Sequence, residues 1–337
     1  MNVAVTYQQD VTRYPPSHEI LLANDTIEQL RVSENGDFSE VGFSGNGSEV
    51  NPYILENKIL ELAWYVPVSI MNTDAHFVIR NFSLHSKEGG YTGWGIKLSN
   101  VTNGRIESCS FFGRTRAIGI EESQIIELMN NTIHDVEEEA ITLSYSQHVN
   151  ISYNTVSITR YGIHLENTED TILTHNEISE SSINGIYSYI ASSCRIANNT
   201  LSNSGQEGIY ACYAPSHVIA NNTLFNGGLF ISDSFSPDVR NNTLDMKPIL
   251  YLHNVQDSVY NGSSYSQAIL YNCENVNITD GTFSEGIPIA NSEYCRIENI
   301  SISSPSYGIY FESSSWCNVT RCNISSATRA GIHFDDN

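Results

Sequence analysis

Positive charge is scarce in this chain: 16 Lys and Arg stand against 38 Asp and Glu in 337 residues, a formal net charge of -22. A phosphate backbone is held by clustered Lys and Arg and is repelled by a field of this sign, so nucleic acid is excluded as a partner. Cations, calcium among them, are compatible with it. Charge of either sign is sparse, at 16% of residues, and Ser, Thr and Asn replace it on the surface. The seven cysteines contain no CxxC pair and no zinc-type spacing, which excludes a thiolate metal site and gives no disulfide framework. No apolar run is long enough to span a bilayer. Residues 1–16 have neither the basic start nor the apolar core of a secretory signal.

What is present is a repeat. Asn131, Asn154, Asn176, Asn199, Asn222 and Asn242 recur 20 to 23 residues apart, each followed two places later by Ile133, Val156, Ile178, Leu201, Leu224 or Leu244. A period of this length, with a polar residue at one fixed place among apolar ones, is the signature of a solenoid. A second phrase, a small residue followed by Ile and alternating residues, recurs at Gly95, Ala117, Ala140, Gly162, Gly185, Gly208, Gly228, Gly286, Gly308 and Gly331. Both phrases alternate as short half-buried strands do. A leucine-rich repeat fits the asparagine phrase alone. It fails on the other half of the period, which is β-branched and aromatic where a helix or open turn is needed.

The chain is therefore read as all-β, a right-handed parallel β-helix of about 12 or 13 coils. Residues 1–45 are expected to form a leader and N-terminal cap, because an uncapped first coil is an open sheet edge. Residues 46–337 form the solenoid, which begins a further coil at Ala330 and is expected to be the truncated part of a longer protein. Identical positions stack about 4.8 Å apart. The six asparagines then form an inward ladder, each amide bonding the next, flanked in the same column by Cys109, Gly281, Ile300 and Cys322. Cys295 and Cys317 fall one coil apart and are expected as stacked, reduced thiols.

These coils resemble the NosD-like, carbohydrate-binding and sugar-hydrolase branch of the pectate-lyase-like β-helices. The segment 45–57, with Gly45, Gly47, Pro52 and Asn57, is similar to the opening strand of many surface proteins of that kind. The resemblance covers about residues 45–337 and implies an extracellular or cell-surface location and a polysaccharide or glycoconjugate partner. It carries over no catalytic motif: the aspartate triplet of polygalacturonase-type hydrolases and the calcium-site aspartates of pectate lyases have no counterpart here. Copper maturation, which the NosD name implies, needs clustered Met, His or Cys, and four Met with ten dispersed His do not supply it.

One side chain per coil must point outward between the inward residues of the Gly-Ile strand. In order these are Lys97, Gly119, Thr142, His164, Tyr187, Tyr210, Phe230, Tyr251, Leu270, Pro288, Tyr310 and His333. Tyr187, Tyr210, Phe230 and Tyr251 are the expected sugar-gripping stripe, the alternative being that the stacked rings stabilise the ladder or lie under a loop. Beside them, Glu121 and Glu166 stand two coils apart, about 9.6 Å, within the carboxylate separation of inverting glycosidases. With His164 as proton shuttle, Glu121 and Glu166 are the candidate catalytic groups of a hydrolase or lyase. Glu312 and Asp335, one coil apart, form a second carboxylate pair. Asp135 with Glu137, Glu138 and Glu139 could attract calcium, the one cofactor left open. The expected function is glycan binding along this face, with catalysis on the same scaffold, or a stalk or adhesion role, as alternatives.

Overall fold

The structure, a computed structural model, describes residues 19–22, 30–62, 67–86, 93–234, 237–303 and 305–335. Each coil carries three short strands, as in Glu139–Ser144, Gln147–Ser152 and the opening residues of Thr155–Glu166. Up to the strand Leu229–Ser232, the strands pair in parallel with their equivalents one coil apart, so Ile118, Ile141, Ile163, Ile186, Ile209 and Leu229 form one continuous inward column. The fold is the expected β-solenoid of about a dozen coils, and the only helical turn among the described residues is Gly262–Ser264. None of the described helices is long and apolar enough to cross a membrane.

Sharp corners separate the strands, and they are made by single residues in the left-handed region. Asn130, Tyr153, His175, Asn198, Asn221 and Asn241, each just before a ladder asparagine, have φ between 55° and 57°, within reach of Asn at little cost but strained for Tyr. The ladder fixes them there. Asn131 Nδ2 donates to Asn154 Oδ1 at 3.0 Å and to Ile106 O at 3.0 Å, and the pattern repeats through Asn176, Asn199, Asn222 and Asn242. Below it, Cys109 N–H donates to Asn131 Oδ1, which closes the lower end. A second, shorter ladder of hydroxyls escaped the sequence reading. Val101 N–H donates to Ser123 Oγ and Ser123 N–H to Ser146 Oγ, at 3.0 and 3.1 Å, across the corner on the other side of the coil. Serine is so common in this chain that the spacing alone does not single it out.

The coil pairing begins earlier than residue 46. Glu19–Leu22 pairs with Lys58–Leu62 and Leu30–Val32 with Val68–Thr73, both in parallel register. The cap proper is the turn-rich segment after Val32, whose buried Phe38 stacks on Tyr53 at 4.5 Å and meets Phe43 and Phe77 at the end of the core. The rest of the expected leader, residues 1–18 and 23–29, lies outside the described residues. Cys295 and Cys317 stack as expected, Asn318 N–H donating to Cys295 O at 2.8 Å, and all seven thiols are free.

One break interrupts the stack. Thr243–Leu244 turns through Asp245 and Met246, both at positive φ, and pairs antiparallel with Lys247–His253. Two consecutive residues of that conformation make the tight turn that joins antiparallel strands. A second stack with its own core, from Leu250 to Phe311, starts there. The expected column is therefore corrected: Tyr251 does not follow Phe230 but pairs with Ile269, and Leu270 pairs with Ile289. The outward residues of this part of the second stack are turned onto the last coil of the first. Ile269 is a member of the first core, and Tyr251 packs against that core while its hydroxyl donates to Pro237 O at 3.4 Å.

Gln267 completes the seal. Its Oε1 accepts from Leu229 N–H at 3.0 Å, and its Nε2 donates to Leu229 O at 2.9 Å and Gly286 O at 3.0 Å. A side-chain amide thus stands in for the next strand, and the polar edge of Leu229–Ser232 is covered.

Candidate functional site

The outer face of the Gly-Ile strands carries three columns of side chains that run along the first stack and end at the joint with the second. The middle column is Lys97, Gly119, Thr142, His164, Tyr187, Tyr210 and Phe230, in the register expected. At its upper end Phe230 meets Tyr310 at 5.0 Å and Tyr307 at 6.1 Å, both from the second stack. Burial at the joint removes the lone aromatic from water and makes the column continuous across the break.

The rings stack on one another. Tyr187 to Tyr210 and Tyr210 to Phe230 are 5.1 and 5.2 Å between centroids, with 5° between planes. His164 closes the lower face of Tyr187 edge-on at 4.9 Å. The ring faces expected to grip sugar are therefore covered by each other, and the column presents ring edges to the outside. Burial also holds the phenols protonated: the Tyr187 hydroxyl is pushed up to about 12, and Tyr210 higher still. More open aromatics lie beside the column, at the far end of the strands. Tyr189, half-buried, is 6.3 Å from Tyr187 and meets the exposed Tyr213 edge-on at 5.8 Å. Tyr213 sits at a corner with φ 49°.

Of the candidate catalytic residues, Glu121 is held by Lys97 Nζ at 2.8 Å. Glu166 lies two coils above it in the same column and two positions beyond His164 along the strand. The carboxylate that His164 meets is a different one, Glu139, at 3.9 Å from its Nδ1. Glu139 is gripped by Arg116 at 2.5 Å, and Arg116 lies over the Trp94 ring at 5.4 Å. Burial acts to raise the Glu139 carboxyl, but the Arg116 hydrogen bond and the charges of Arg116 and His164 outweigh it and hold it below the ordinary range. The sequence hid this group inside an acidic run. Its partners scatter that run: Glu137 accepts from Thr115, Glu138 pairs with Arg160, and Glu139 turns onto the face. Among the described residues no three His, Cys, Asp or Glu side chains converge as metal ligands.

Two further acidic groups, one at each end of the strands, close the joint. On the side of Tyr189, Asp233 N–H donates to Glu312 Oε1 at 2.8 Å, and Tyr310 Oη donates to Asp335 Oδ2 at 2.8 Å. Glu312 is 2% exposed, its Oε2 has no hydrogen-bond partner, and burial together with the Asp233 charge raises it. On the other side, Glu207 and Glu285 are 4% and 9% exposed and line a narrow slot with Phe230, Tyr307 and Tyr310. Glu207 accepts from Asn184 Nδ2 at 2.9 Å. Glu285 lies over Gly228, where a Cβ would come within 2.6 Å of its Cγ. Burial, then the Glu207 charge, pushes Glu285 up to about 8. Neither Glu207 nor Glu285 was expected, because each precedes a glycine of the strand phrase and reads as a solvated corner until the second stack folds over it.

The match to a family model agrees with the architecture. A family model described as a right-handed β-helix region matches residues 20–171 and 139–254. No curated protein matches the sequence. Solved structures similar to this one include an alginate lyase from Paenibacillus sp., 10% identical with a TM-score of 0.45 over 92% of this chain and 99% of that one. A pectate lyase from Bacillus sp. N165, in complex with trigalacturonate, is 14% identical with a TM-score of 0.44 over 64% of this chain and 81% of the other. A surface adhesin of Streptococcus pneumoniae is 11% identical with a TM-score of 0.45 over 89% and 91%. With two overlapping matches that together span 20–254, the chain belongs to the right-handed β-helix region family.

Proposed function

We propose that this protein binds a polysaccharide or glycoconjugate, at the cell surface or outside the cell, along the outer face of the first stack and into the joint. The observation that carries this reading is the concave joint itself, where a rigid aromatic column runs between two sets of buried polar groups. A concave apolar floor with a few convergent polar groups and perturbed carboxyls is the arrangement that takes small polar ligands. Sugar rings lie against the open Tyr189 and Tyr213, while the stacked column beneath supplies a flat floor that does not rearrange on binding. A second reading, polysaccharide cleavage, is favoured by the chain Arg116, Glu139, His164. A half-buried carboxylate fixed by Arg116 and facing an imidazole at 3.9 Å is placed to support it as a general base.

Both readings are tested on one panel of soluble polysaccharides, by retention and by release of reducing ends or unsaturated products. The double variant Tyr189→Ala, Tyr213→Ala is expected to lose affinity by about tenfold or more with little change in melting temperature, since both rings contribute contact area from the surface. Unchanged retention rejects binding at this face. Product release that is lost in His164→Ala establishes cleavage, and no product with any substrate leaves binding alone.

A further inference from the structure

The slot at the joint specifies which sugar the face holds, an inference that rests on the glycan-binding reading. Its cavity is about 10 Å³, room for one water-sized group. Two carboxyl side chains, Glu207 and Glu285, and three aromatic rings, Phe230, Tyr307 and Tyr310, line it. Ser306 lines it too, 7% exposed, and its Oγ is buried with no hydrogen-bond partner. A hydroxyl left unpaired in a polar slot is unfavourable unless a ligand or water meets it. No Lys or Arg is among the lining residues. The exposed Arg329, whose charge acts on Glu207, is bound to Gln206 Oε1 at 2.6 Å and lies over the Tyr307 ring at 5.3 Å. Two carboxylates and a hydroxyl around a space of that size are the surroundings that select a primary ammonium group.

We propose that this slot receives the ammonium group of an amino sugar, so that the glycan held by the face is a glucosamine-containing polymer and not a polyuronate. The field of the whole chain acts in the same direction, since a net charge of -22 attracts a polycationic glycan and repels an acidic one. The ammonium enters between Glu207 and Glu285, donates to both carboxylates and to Ser306 Oγ, and displaces the proton that Glu285 holds when the slot has no cation. The charged and titratable groups around Glu285 are Glu207, Asp245, Arg329, Tyr307 and Tyr310. Glu207 and Asp245 disfavour its ionisation when the slot is unfilled.

Titration calorimetry with the whole chain tests this, using a glucosamine hexamer, its fully N-acetylated counterpart and a galacturonate hexamer. The glucosamine hexamer is expected to bind about tenfold or more tighter than the acetylated one, with proton release that shows as a dependence of the heat on the buffer. Glu285→Gln with Glu207→Gln is expected to weaken the glucosamine hexamer by about tenfold or more, so that it binds no tighter than the acetylated one, and a preference that survives the double variant overturns the slot proposal. Equal affinity for the two in the unaltered chain, or tightest binding of the galacturonate, overturns the slot proposal while the glycan-binding reading stands. Failure of all three to bind overturns the slot proposal, and failure across the whole polysaccharide panel overturns the glycan-binding reading as well.

Discussion

Replacing Asn176 by Ala lowers stability by about 4 kcal/mol, as read from urea unfolding, and is the largest single-residue effect expected from the interior. The Asn176 amide donates to Asn199 Oδ1 and Ile151 O at 3.0 and 2.9 Å, and its Oδ1 accepts from the N–H and the amide of Asn154, both at 3.0 Å. The residue is 1% exposed, so no water replaces what alanine removes. Each buried donor or acceptor left without a partner costs about 1–3 kcal/mol. Two donors of Asn154 and the carbonyl of Ile151 are stranded together. The neighbouring column gives the control. Asn198 sits at φ 56° with its side chain outward, and Asn198→Ala meets only the left-handed penalty of about 1–2 kcal/mol. If Asn176→Ala costs no more than Asn198→Ala, the ladder does not hold the coils.

Raising the pH from about 4.5 to about 8 weakens the joint, and Glu285→Gln removes the part of that dependence that Glu285 carries. The sign follows from where the proton sits. Burial and the Glu207 charge raise Glu285 from 4.5 to about 8, so between those values the unfolded chain has released a proton that the folded chain still holds. The folded state then binds more protons, and its stability falls as pH rises through this window and levels off above it. At about 1.4 kcal/mol per pH unit the full loss is on the order of 5 kcal/mol for this group, an upper value for a buried carboxyl. Glu312, raised by burial and by Asp233 at the opposite end of the strands, adds a slope of the same sign. Thermal melts across this range show a steeper decline for the unaltered chain than for Glu285→Gln, which is the more stable of the two at the alkaline end. Parallel profiles would mean that Glu285 ionises in place and that the joint is open to water.

The coils were legible in the sequence because their physics is local and repeated. A glycine or alanine that lets one coil approach the next, an inward Ile and a corner Asn each leave a mark every 20 to 23 residues. The asparagine column and the outward column from Lys97 to Phe230 could therefore be read residue by residue. The reading failed where the period was broken once. The turn at Asp245 and Met246 has no repeat to betray it, and the strand after it still alternates, so Tyr251 was placed one coil above Phe230 when it lies in the next stack. Everything that makes the joint a site depends on that turn. Glu207 and Glu285 are 78 residues apart in the chain and come together only when the second stack covers the first. His164 was read from its place in the column, but the carboxylate it faces is the half-buried Glu139 one coil below and not the Glu166 beside it in sequence. Alternation says which way a side chain points and is silent on which neighbour across the coils it reaches.

Hydrogen exchange with and without a bound oligosaccharide tests the central claim most directly, because it reports every face of the solenoid at once. The account predicts slowed exchange on the outer face of the Gly-Ile strands, in Thr155–Glu166, Glu177–Tyr189 and Ile209–Cys212, and across the joint in Tyr307–Glu312, with the remaining strands unchanged. Protection confined to Gln147–Ser152, Ile172–Thr174 and Arg195–Ala197, which form another side of the same coils, would contradict it.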